Sequence, residues 1–167
     1  EEMNSTGPAF VLSEFEKRFK FPLTEKVFDS LGNRRILLGE SGYGTFGHIG
    51  AAGRAKHLFA KGTKTQKQTI VKALNEIREL DTTDYGSLLN ELKKLETLGL
   101  TMRCWGRLLA LARPDLFCTV SSDNLRTNLC KTLNIPKDFV VTADGYVKLV
   151  KAIHHSAWFN EELKGND

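Results

Sequence analysis

Leu95-Glu96-Thr97-Leu98-Gly99-Leu100-Thr101-Met102-Arg103-Cys104-Trp105-Gly106-Arg107-Leu108-Leu109 reads as the end of one helix, a glycine turn and the start of a second helix. Glycine enters positive φ without a steric penalty, so Gly99 is the natural stop of the first helix. The second is expected from about Thr101 to Ala112. Pro114 closes it, because proline lacks an N–H and its ring blocks the preceding turn. A bend of this kind aims backbone amides and the positive end of the following helix outward, where they can hold a phosphate. Arg103 and Arg107, four residues apart, fall on one face of that helix.

Helical spacing continues on both sides of this stretch. Thr65 with Gln68 predicts a capping box, and Ile70, Leu74 and Ile77 predict an apolar stripe on a helix over 65–80. Asp84 or Ser87 opens the next, with Leu88, Leu92 and Leu95 inward. Ser121 or Ser122 caps a helix carrying Leu125, Leu129 and Leu133 that ends before Pro136. Thr142 or Asp144 starts a last one through Val147, Val150 and Ile153. Toward the N-terminus, Ser13 with Glu16 predicts another capping box, followed by Phe15 and Phe19. Pro22 separates this helix from a second one, begun by Thr24 and ended by Gly32. Residues 34–38 read either as a short strand or as the end of a helix, and Gly39 to Gly53 form a glycine-rich loop. The expected fold is mainly α, a multi-helix orthogonal bundle. One domain over 1–167 is expected, in which residues 1–53 can form a small N-terminal lobe on a helical core at 54–167.

The 167 residues suffice for a hydrophobic core without metal or disulfides. No apolar run approaches a membrane span, and the opening EEMNSTGPAF lacks a secretion signal, so a cytoplasmic location is expected. Three cysteines, Cys104, Cys118 and Cys130, fit buried thiols better than a disulfide framework. Lys and Arg outnumber Asp and Glu by 24 to 20, which is compatible with a polyanionic partner and with a merely solvated basic surface.

Known chemical signatures are incomplete. Gly42-Tyr43-Gly44-Thr45-Phe46-Gly47-His48-Ile49 matches G-x-G-x-x-G, yet the lysine, aspartate and D-F-G parts that phosphoryl transfer needs do not follow. A Walker A loop would require Lys-Ser/Thr where His48-Ile49 stand. An anion-binding nest of glycine amides, with Arg34, Arg35 and Arg54 nearby, is a lesser alternative. His154 and His155 are adjacent on a helix and diverge by about 100 degrees. Neither they nor the cysteines have zinc spacing, and no metal or cofactor is expected. Trp105, Trp158 and Phe159 read as core anchors before they read as base-stacking platforms.

From Leu95 to Cys130 the sequence resembles the helix-hairpin-helix DNA glycosylase superfamily. The glycine hairpin and its apolar helix precede Pro114-Asp115-Leu116-Phe117-Cys118-Thr119-Val120, in the place of the family's extended stretch. Ser121-Ser122-Asp123-Asn124-Leu125-Arg126 then stands where the family's catalytic aspartate opens another helix. The second hairpin glycine is Thr101, the family's small alanine is Trp105, and the aspartate falls on Ser121 or Ser122, with Asp123 in place only after a register shift. No lysine occupies the hairpin position of bifunctional glycosylases. A serine cannot give the negative charge that supports a cationic sugar-like transition state. The resemblance thus implies a DNA-binding module without glycosylase chemistry, such as a targeting part of a larger bacterial defence or restriction protein.

The expected function is non-catalytic DNA binding or sensing. Gly99, Thr101, Arg103 and Arg107 would grip phosphate at the hairpin, with Arg54, Lys61, Lys64 and Lys67 beside them. A protein-interaction or regulatory helical domain and a glycosylase-like enzyme are the competing readings.

Overall fold

Met102–Ala112 forms α6, and every residue on it whose side chain is described is buried. A helix buried to this extent must be packed against several neighbours, and α6 contacts α2, α4 and α5. Trp105, Met102, Leu108, Leu109 and Leu111 are among the largest fully buried side chains. Each contributes about 1.5–3 kcal/mol relative to an exposed position.

The computed structural model describes residues 7–43, 52–117, 123–135 and 142–156, with the side chains of 52, 103 and 123–126 excepted. Around α6 stand α1 (Pro8–Arg18), a 3-10 turn (Glu25–Phe28), α2 (Leu31–Leu38), α3 (Ala52–Lys61), α4 (Lys64–Glu79), α5 (Tyr85–Glu96), α7 (Asp123–Thr132) and α8 (Ala143–His154). Among the described residues there is no strand, so the chain is a multi-helix, mainly α protein. α4 packs on α5 and α6, α5 on α8, and α2 on α1, α3 and α6. Val11, Phe15 and Ile36 belong to the same hydrophobic cluster as Leu74, Leu92 and Val150. Residues of the expected N-terminal lobe therefore share the core of the helices that follow. No helix among the described residues is long and apolar enough to cross a membrane.

Local signals place most helix starts. Thr63 and Gln66 form a reciprocal capping box at α4, and Ile70, Val71, Ala73, Leu74 and Ile77 are its buried face. The box expected at Thr65 and Gln68 has the same chemistry two residues later than the real one. Asp84 accepts from the Ser87 N–H at the head of α5, and Thr142 accepts from the Gly145 N–H at the head of α8. Glu96, at the end of α5, accepts from the Ala143 N–H and ties these two helices together.

The N-terminal expectations need correction. Ser13 lies inside α1, which starts at Pro8, where the missing proline N–H costs nothing in a first helical turn. Thr24 precedes a 3-10 turn without a side-chain cap, and Gly32 lies within α2, which Ser30 caps through the Asn33 N–H. Residues 34–38 are the end of α2 and not a strand. Gly39, at φ 78°, closes that helix. Ser121 and Ser122 lie outside the described residues.

Helix ends leave carbonyls without intrahelical donors, and buried arginines supply them here. The Arg107 guanidinium, 2% exposed, donates to the carbonyls of Ile36, Leu37 and Tyr43 at 2.7–3.1 Å. Burial lowers its pKa to about 10, which leaves it charged at neutral pH. Arg113 makes a two-pronged pair with the Asp115 carboxylate at 2.8 and 2.7 Å and donates to Ile77, Arg78 and Leu80 at the end of α4. Arg78 answers from α4 by donating to the Ala112 carbonyl at the end of α6.

Replacing Arg107 by Met should lower unfolding stability by about 2 kcal/mol, because three carbonyls lose a donor while the desolvation cost of one charge is relieved. Urea denaturation followed by circular dichroism measures this. An unchanged midpoint would show that Arg107 does not hold the end of α2.

Candidate nucleic-acid interface

Arg54, His57 and Lys61 recur at spacings of three and four on α3, so one face of that helix presents all of them. α3 ends against Gly62, whose N–H donates to the Leu58 carbonyl at 2.8 Å. A Cβ on Gly62 would lie 2.3 Å from that carbonyl oxygen, so only glycine permits the close passage into α4. Thr63 then starts α4 with its capping box, and Lys64 follows.

Opposite α3 stands the turn between α5 and α6. Gly99 adopts φ 76° and is exposed, while Leu100 beside it is buried. The Arg54 guanidinium reaches over this turn: a Cβ placed on Gly99 would come 3.8 Å from Arg54 Nη2. Between the two walls lies an open groove of about 360 Å³, lined by Arg54, His57, Lys61, Gln66 and the apolar Leu58, Leu98 and Leu100, with Gly53 and Gly62 at its edge. No carboxylate lines it among the described residues. The side chains of Arg54, His57 and Lys61 make no hydrogen bond or ion pair with any described residue. The site is an open groove with basic side chains along its rim, where Leu58 and Leu100 show only their edges at 6% exposure, and it can accept an anion without first breaking an ion pair among the described residues.

The hairpin residues separate. Gly99 and the exposed Thr101 face outward, and the Thr101 hydroxyl lies 3.7 Å from Cys104 Sγ. Arg107 turns inward and holds the end of α2, so it is not a phosphate ligand; the helical face on which it falls is the one that packs. The side chain of Arg103 lies outside the described residues. Arg54 and Lys61 line the groove. Lys64 stands outside it, 3.7 Å from Glu25, and Lys67 is half-buried on α4. Arg34 is committed to the carbonyls of Phe28 and Asp29, which removes it from the glycine nest; residues 44–51 of that loop lie outside the described residues.

Sequence reasoning leaves His57 open among surface, core and phosphate-contact roles, and it missed Gln66 and the three leucines of the lining. One signal was available: no acidic residue occurs between Glu40 and Glu76, whereas Arg54, Lys56, Lys61, Lys64, Lys67 and Lys72 do. The leucines carried no signal, since apolar residues beside a turn look the same whether they line a groove or fill a core.

Other sequence candidates have structural roles. Trp105 is wholly buried, and Cys104 and Cys130 are buried free thiols. Residues 114–116 form a turn rather than an extended stretch, with Phe117 buried behind it. Among the described residues no cluster of His, Cys, Asp or Glu could hold a metal ion. His154 lies 3.2 Å from the Leu116 carbonyl through Nε2 and 3.1 Å from the Tyr85 hydroxyl through Nδ1. A carbonyl only accepts, so Nε2 carries the hydrogen and Nδ1 accepts from Tyr85. Compared with protein families, with curated proteins and with solved structures, the chain matches none.

Burial is the largest influence on His154 and holds its pKa below the ordinary 6.5. The unfolded chain therefore takes up this proton first as pH falls, so stability is full above 6.5 and declines below it. His154→Gln should flatten the dependence of melting temperature on pH on the acid side of neutrality. An equal slope in the variant would show that another group sets it.

Proposed function

We propose that this protein is a non-catalytic DNA-binding domain whose phosphate grip is the groove between α3 and the Gly99 turn. The observation that supports the reading is the placement of two cations without a described ion-pair partner, Arg54 and Lys61, with the His57 imidazole between them, along a concave face with no described carboxylate. Phosphate contacts supply most of the sequence-independent affinity for nucleic acid, and they require cations that are not already paired. The Gly99 N–H is spent on the Glu96 carbonyl at 3.1 Å, so the turn gives the opposite wall its contour and no free amide at that residue. Lys64 and Lys67 extend the positive field along α4 and steer an approaching strand.

The cations of this grip come from α3, and the Arg103 side chain on α6 lies outside the described residues.

Fluorescence anisotropy with a labelled oligodeoxynucleotide at two salt concentrations tests this. Affinity should fall steeply with salt, by about 0.9 log unit per log unit of salt for each phosphate neutralised on a duplex. Arg54→Glu with Lys61→Glu should weaken binding at least tenfold and reduce that slope, while Lys131→Glu, exposed on α7 away from the groove, should change it little. Equal affinity for the double variant and the unaltered protein would refute the groove as the grip.

A further inference from the structure

Resting on the phosphate-binding role just described, we infer that Gln66 is a further ligand of the groove, donating an amide N–H to a phosphate oxygen held by Arg54 or Lys61. Its head group is oriented by the helix it helps to start. Gln66 Oε1 accepts from the Thr63 N–H at 2.9 Å, and the Gln66 backbone N–H donates to Thr63 Oγ1 at 3.2 Å. A reversed amide would set two donors against each other at the Thr63 N–H, so the capping box holds the oxygen toward the backbone. The Nε2 group, with its two hydrogens, is what the side chain has left to offer. It makes no hydrogen bond with any described residue.

Position agrees with this chemistry. Gln66 is half-buried and lines the groove with Arg54, His57 and Lys61. A Cβ on Gly62 would come 3.3 Å from Gln66 Oε1, so the glycine gives the head group room beneath the end of α3. Arg54 and Lys61 carry donors and no acceptor, and with the Gln66 oxygen already spent the three side chains present donors alone. The free oxygens of a phosphodiester only accept, so these groups are matched to the backbone of a strand. A neutral amide adds a hydrogen bond without adding a charge. Its share of the affinity is therefore separable from that of the cations, because the salt dependence counts only charges that neutralise phosphates.

Anisotropy with a labelled duplex at two salt concentrations is recorded for the full chain and for Gln66→Glu, Thr65→Glu and Gln66→Met, each checked by thermal melting. Gln66→Glu keeps the capping box, since a carboxylate oxygen accepts from the Thr63 N–H equally well, but it turns its second oxygen on the phosphate. That variant should melt no lower than the unaltered protein and bind about tenfold more weakly. Thr65→Glu adds the same charge on the neighbouring residue, exposed and outside the groove lining, and should weaken binding severalfold less. Gln66→Met should lose about twofold to tenfold in affinity, the worth of one hydrogen bond, with the salt slope unchanged. Equal losses in the two glutamate variants, or undiminished affinity or a reduced salt slope in Gln66→Met, overturn the inference. The phosphate grip still stands in that case if Arg54→Glu with Lys61→Glu removes binding. Absence of salt-dependent binding by the unaltered protein removes both.

Discussion

α6 is buried on every described side, and the carbonyls at the helix ends around it must find donors without water. Arginines supply them, while the buried Trp105 Nε1 on α6 and Glu91 Oε2 on α5 have no described hydrogen-bond partner. Arg107 reaches from α6 to the end of α2, Arg113 from the end of α6 to the end of α4, and Arg78 from α4 back to the end of α6. A guanidinium suits this work because its planar fork offers several donors at once and its charge opposes the negative pole of a helix end. The charge of Arg107 survives burial because the carbonyls it binds carry that pole.

This use of charge explains a division of labour among the basic residues. Arginines on elements that face the core are spent on helix ends, whereas α3 projects its cations outward. Its apolar residues Ala55, Leu58 and Phe59 pack inward, and the opposite face holds Arg54, Lys56, His57 and Lys61. Amphipathic spacing on a single helix thereby creates both a core contact and one wall of a groove. The other wall follows from the Gly99 turn, which must lie near α3 because Leu100 is anchored beneath it. Gly62 brings α3 and α4 close enough for Gln66 to join the lining.

Much of the helical framework could be read in advance. The stop at Gly99 and the span of α6 were placed by chemistry that acts within four residues, and of the paired candidates Asp84 or Ser87 and Thr142 or Asp144 the structure uses Asp84 and Thr142. Errors arose where two local candidates had equal chemistry. Thr63–Gln66 and Thr65–Gln68 are both good boxes, and the position of Gly62 behind α3 selects the first. Near the N-terminus, Pro8 outcompeted Ser13 as a starting signal. Of the candidate site, Arg54, Lys61 and Gly99 were legible as a group, but the departure of Arg107 into the core was not.

What the chain determines by itself is the helical class, the caps and the sign of the surface charge along α3 and α4, because each depends on side chains close in sequence. Which arginine is a ligand and which is a strut was decided only in three dimensions. Arg54 and Arg107 are alike in charge and both lie on helices, but one lies over an exposed glycine bend and the other beneath a carbonyl-rich helix end. Burial and the nearest acceptor separate them, and both are properties of packing between distant segments.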